Sequence, residues 1–155
     1  MDMAEISETF RQTFALPDLD ATARLGDGIA RGLKAGDAVA LWGGLGAGKT
    51  TLARAILRAL GVMEDVPSPT FTIVQSYDTT RLVVSHYDLY RIKSPREMQE
   101  LGFDDALLDG AALVEWPERA PEILPTDALH VRLALTDGAR TARVTGPARW
   151  EGLHV

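Results

Sequence analysis

Apolar residues recur along this chain with two different periods, and each period marks an element. Ala21, Leu25, Ile29 and Leu33 fall four apart, the stripe of an amphipathic helix that Asp18 or Asp20 can cap. Residues 34–37 close that helix in a turn. Leu52, Ala53, Ile56, Leu57 and Leu60 share one face of a second helix over 51–60, stopped by Gly61. Two short apolar runs, 38–42 and 111–114, read as buried strands. Residues 71–77 and 82–87 read as two more, joined through 78–81 as a hairpin. Alternation over 129–135 and 141–145 adds a closing pair around Asp137-Gly138, and 9–16 reads as extended. Ser94-Pro95-Arg96-Glu97 has the spacing of a capping box, opening a helix that ends near Gly102, with a further turn at 104–108.

The stretch between the strand 38–42 and the helix that follows carries the chemistry. Gly43-Gly44-Leu45-Gly46-Ala47-Gly48-Lys49-Thr50 fits the phosphate-binding P-loop, G-x-x-x-x-G-K-[ST], in the required order of strand, glycine loop and helix. Nucleotide phosphates need backbone N–H groups aimed inward, and a helix N-terminus adds a favourable dipole. Glycine permits the close approach. Lys49 is then expected to reach the β- and γ-phosphates and Thr50 to hold Mg²⁺, with Gly43, Gly46, Ala47, Gly48 and Thr51 completing the cradle. The chain has only three lysines, and one stands at the motif position.

Hydrolysis also needs an acidic group at the end of a neighbouring strand. Glu115 follows the strand 111–114, and Asp88 follows 82–87. Either carboxylate can bind Mg²⁺ or orient water, and either can be a surface residue just past a strand end; Asp88 can also cap the segment beginning at Leu89. His86 shares a strand face with Asp88 and reads as a structural histidine. Trp116 can stack on a base or simply pack. Ser68 and Thr70 either sense the γ-phosphate or shape the turn between Pro67 and Pro69. Arg140 and Arg143 can bring positive charge to phosphates. Lys49 is expected to be exposed.

Composition narrows the setting. The 155 residues are 46% apolar and 25% charged, as in an ordinary soluble domain. With no cysteine there is no disulfide, thiolate metal site or cysteine nucleophile. No run approaches a membrane span, and residues 1–5 lack the features of a signal peptide, so a cytoplasmic setting without membrane contact is expected. A formal charge of −6 gains little from neutralising nucleic-acid phosphates. The fold expected is α/β: one P-loop NTPase-like domain over 1–155, with a mixed, mostly parallel sheet, an antiparallel hairpin and helices on both faces. Residues 1–9 and 147–155 are expected to be peripheral.

Five blocks together carry a family resemblance: Gly-Gly-Leu-Gly-Ala-Gly-Lys-Thr-Thr at 43–51, Pro-Ser-Pro-Thr-Phe-Thr-Ile-Val at 67–74, His-Tyr-Asp-Leu-Tyr-Arg at 86–91, Leu-Gly-Phe at 101–103 and Leu-Val-Glu-Trp-Pro-Glu-Arg at 113–119. In this order and spacing the chain resembles the TsaE family, bacterial P-loop ATPase subunits of the machinery that makes threonylcarbamoyladenosine in tRNA. The resemblance implies Mg²⁺-dependent ATP hydrolysis in a complex with a TsaD-like transferase and a TsaB-like subunit, with tRNA met only indirectly. It implies phosphate and Mg²⁺ roles for Lys49 and Thr50, catalysis for Asp88, Mg²⁺ binding for Glu115 and a place near the nucleotide for Trp116. It makes 67–74 a switch-like loop. The alternative weighed beside it is a small P-loop kinase acting on a nucleoside or metabolite, with Asp88 and Arg91 on the substrate; no arginine-rich lid favours it. A GTPase is a third reading, but this chain has no Asn-Lys-x-Asp stretch to read guanine, which favours ATP. A nucleotide-dependent interaction module with negligible turnover alone overlaps with the ATPase.

Overall fold

Residues 38–42 form a strand because consecutive apolar side chains can be buried on both faces of a sheet. The computed structural model describes residues 10–69 and 72–155. In chain order these form β1 (Phe10–Ala15), α1 (Leu19–Gly32), β2 (Ala38–Trp42), α2 (Lys49–Ala59), β3 (Val74–Asp78) and β4 (Val83–Asp88). Then come α3 (Arg96–Glu100), α4 (Phe103–Asp109), β5 (Gly110–Glu115), β6 (Leu129–Thr136) and β7 (Ala139–Gly146). Single 3₁₀ turns lie at Pro117–Arg119, Pro121–Ile123 and Ala148–Trp150. Among the described residues no helix is long and apolar enough to cross a membrane.

The strands make one sheet in the order β1-β7-β6-β2-β5-β4-β3. β2 lies at its centre, parallel to both β5 and β6, and β4 is parallel to β5. β3, β7 and β1 attach antiparallel. Only β3 and β7 therefore run against the common direction, and the sheet is mixed and mostly parallel. Both expected hairpins form. The second is a two-residue connection in which Thr136 pairs with Ala139 while Asp137 and Gly138 take positive φ of 52° and 77°, the turn that Asp-Gly favours.

The period of two sorts the strands onto two cores. Val39, Leu41, Leu113 and Val131 face α1 and α2. Ala38, Ala112 and Val114 face the other way, toward Met98 and Phe103 from α3 and α4. Asp18 caps α1 by accepting the Ala21 N–H at 2.8 Å, and Leu25 and Ile29 are wholly buried.

Four local expectations change. α2 begins at Lys49 rather than 51, because Gly48 in the left-handed region turns the loop straight into the helix. The capping box is displaced: Pro95 is the N-cap of α3, and the Glu97 carboxylate reaches back to the Lys93 N–H at 2.9 Å. Strand pairing in β3 starts at Val74, directly after Ile73, which is held at φ 67°, and the expected start at residue 71 lies outside the described residues. The segment 147–155 is not peripheral. Trp150 and Leu153 are buried, in grooves that α1 leaves open because Gly32 and Gly28 carry no side chain.

Candidate active site

The glycine loop lies between the end of β2 and the start of α2. Gly43, Gly46 and Gly48 all take positive φ, of 148°, 79° and 108°. Gly43 in addition has no room for a side chain, because a Cβ there would lie 2.8 Å from the Leu133 carbonyl. No side chain caps the N-terminus of α2, so its first N–H groups remain for a ligand.

A cleft of about 400 Å³ opens over this loop. Its lining brings together Gly46, Gly48, Lys49, Thr50, Thr51, Asp88, Glu115 and Trp116, all expected from the sequence. Gly43 and Ala47 are outside the lining. Gly43 directly follows β2, and the Ala47 methyl is buried while its N–H donates to the Gly44 carbonyl. Leu45, Ser68, Tyr90 and Arg140 complete the walls. Arg143 is exposed; Thr70 lies outside the described residues.

Glu115 and Asp88 reach the cleft because β5 and β4 are parallel neighbours in register, with Asp88 opposite Glu115. Thr50 Oγ1 donates to Glu115 Oε1 at 2.8 Å. The other carboxylate oxygen, Oε2, lies 2.6 Å from Nε2 of the wholly buried His86. His86 is thus a structural partner of Glu115, a neighbour that its place on the same strand face as Asp88 did not indicate. Asp88 combines two readings: it lines the cleft, and its Oδ1 accepts the Tyr90 N–H at 3.0 Å as a cap. Ser68 donates to its Oδ2 at 3.1 Å. The Asp88 N–H is fixed in turn by the Ile73 carbonyl at 2.8 Å.

Lys49 departs from expectation. It is buried, not exposed. Its Nζ donates to the Gly43 carbonyl and, at 3.0 Å, to that of Gly44, and it sits 3.9 Å from the centre of the Trp116 ring. The ammonium thus rests on the nearest carbonyls and the aromatic face. Burial pushes its pKa below the ordinary lysine value, opposed by the charges of Glu115, Glu118 and Asp88. Trp116 is positioned by a left-handed backbone, φ 57°, and packs 4.9 Å from Tyr90. Two non-glycine residues at positive φ, Ile73 and Trp116, therefore flank the carboxylates, the kind of local strain that collects at functional sites.

Hard oxygen donors at Thr50 and Glu115 fit Mg²⁺, which keeps waters and substrate phosphates beside one or two protein ligands. Among the described residues no cluster of three His, Cys, Asp or Glu could hold a metal without such help. Ser68 and Arg140, for each of which the sequence left two readings open, line this cleft, whereas Tyr90 had been given no separate role and comes to it just past the end of β4.

The family model described as "Threonylcarbamoyl adenosine biosynthesis protein TsaE" matches residues 16–143. The tRNA threonylcarbamoyladenosine biosynthesis protein TsaE of Rickettsia felis is 41% identical over 119 residues, covering 76% of this chain and 70% of that protein. The protein of the same name from Nostoc sp. is 36% identical over 136 residues, covering 84% and 83%. The fold is similar to the crystal structure of Bacillus subtilis YdiB, with a TM-score of 0.77 at 29% identity over 93% of this chain and 91% of that one.

Proposed function

The chain belongs to the TsaE family, and from that premise we propose that it binds ATP with Mg²⁺ and hydrolyses it to drive a partner complex in tRNA N6-threonylcarbamoyladenosine biosynthesis. The observation that carries this reading is the Thr50–Glu115 contact of 2.8 Å with Asp88 beside it, which joins residues 65 apart in sequence at the mouth of a phosphate-type loop. The partners are a TsaD-like transferase subunit and a TsaB-like subunit. An acidic chain of charge −6 suits contact with tRNA through them rather than directly.

Each residue has a part that follows from its surroundings. Lys49 leaves the carbonyls of Gly43 and Gly44 for the stronger, charge-assisted contacts that β- and γ-phosphate oxygens offer. The uncapped start of α2 and the N–H groups of Gly46 and Gly48 cradle the same phosphates. Thr50 and Glu115 are the residues that would hold Mg²⁺, which when bound neutralises phosphate charge and polarises the transferring group. Asp88, tethered on both oxygens, orients the attacking water and balances its developing positive charge. Trp116 and Tyr90 cover the cleft and exclude solvent.

Phosphate release from ATP, measured with Mg²⁺ alone and then with the partner subunits, tests the proposal. Release should rise with the partners and fall by ~10²–10⁴-fold in Asp88→Asn, the span for a positioned acid–base group. A phosphorylated small acceptor in place of free phosphate would make the protein a kinase instead.

A further inference from the structure

We infer that Arg140 binds the α-phosphate end of the nucleotide, the part that ATP and ADP share. This rests on the nucleotide reading above. Among the described residues that line the cleft, Lys49 and Arg140 are the cations, and they approach the loop differently. β2 ends at the loop; β5 and then β4 bring Glu115, Trp116 and Asp88 to one flank, and β6 and then β7 bring Arg140 to the other. A triphosphate lying along the loop places its terminal phosphate at the carboxylate flank, where water is to be oriented. Its other end then falls on the flank of Arg140.

The side chain lies along the loop backbone. Its Nη2 donates to the Gly46 carbonyl at 3.2 Å, and a Cβ at Gly48 would lie 3.7 Å from its Nε. That Nε is buried and has no hydrogen-bond partner. An unmet buried donor is costly, and a phosphate oxygen would satisfy it, with Nε and Nη2 together forming the two-pronged contact that guanidinium makes with phosphate. The mount is rigid before any ligand arrives: Arg140 pairs with Leu135 across the hairpin, and its carbonyl accepts the Leu16 N–H at 2.9 Å. Arg143, three residues further along the same strand, points to the opposite face and is exposed.

Calorimetric titration of MgATP and MgADP into the wild-type protein, Arg140→Ala and Arg140→Lys tests the assignment. Arg140→Ala should raise the Kd of both nucleotides by the same factor, about tenfold or more, the size of one charge-assisted contact. Arg140→Lys keeps the stem and the charge but not the fork, and should lose part of that affinity for both; it carries the test if the alanine variant does not fold. A loss for ATP alone would move the arginine to the terminal phosphate, and no loss for either would make it a surface residue; both overturn the inference. A wild-type protein that binds neither nucleotide would overturn the nucleotide reading as well.

Discussion

Glu115 is almost fully buried and holds two partners at once, Thr50 on one oxygen and His86 on the other. The second contact is made in a dry interior, where a carboxylate left without a donor is expensive. His86→Ala should therefore cost at least the ~1.5–3 kcal/mol of a hydrogen bond to a charged group, read by urea unfolding. His86→Gln retains a donor and should lose less. Equal stability of His86→Ala and wild type would mean that Glu115 is satisfied without the histidine. At this scale the sequence was most informative where chemistry is local. The glycine loop, Lys49 and Thr50 are consecutive, and Glu115, Trp116 and Asp88 each stand just past an apolar run. The fold-back of Lys49 onto Trp116 was not legible, because it joins residues 67 apart through a sheet order that periodicity does not encode.

The two large helices meet where α1 has a glycine. A Cβ at Gly26 would lie 2.6 Å from Ala55 Cβ and 2.9 Å from the Ala55 carbonyl carbon, so α2 would have to move away. Gly26→Ala gains up to about 1 kcal/mol of helix propensity and loses about 1–3 kcal/mol to overpacking. The clash involves backbone, which cannot swing aside, so a net loss is expected in thermal or chemical unfolding. A melting temperature at or above that of wild type would show that α2 slides without cost. The same glycine logic operates at Gly32, over which Trp150 lies. Trp150→Ala should lose about 3–5 kcal/mol, as core aromatics do; a loss under 1 kcal/mol would return the tail to the periphery. Hydrophobic period revealed the elements and the helix faces, since both are properties of a short window. It could not reveal that the tail is core, because Trp150 and Leu153 are only two buried apolar positions, too few to establish a period.

Across the whole molecule one sheet separates two apolar layers, and the titration of a buried group in either layer reports on global unfolding. Tyr87 serves this purpose on the α3–α4 side. Its ring is buried, edge-on to Phe103 at 5.4 Å, and burial pushes its phenol up to about 12 from an ordinary value of 10.0. The folded pKa is raised, so the folded state keeps its proton where the unfolded chain has already lost it. The stability this represents is complete below pH 10 and is lost as pH rises through about 12. Two pH units correspond to roughly 2–3 kcal/mol. Lys49 acts with the opposite sign: its lowered pKa means that its burial penalty is present below the folded value and is relieved as pH climbs toward 10.5. Tyr87→Phe separates the two, since it keeps the ring and its packing while removing the titrating proton. Unfolding free energies of wild type and Tyr87→Phe should differ by a constant below about pH 9.5. Above it, wild type should fall relative to the variant, by roughly 2–3 kcal/mol near pH 12. A difference that stays flat from pH 9 to 12 would mean that the phenol titrates as freely in the folded protein as in the unfolded chain.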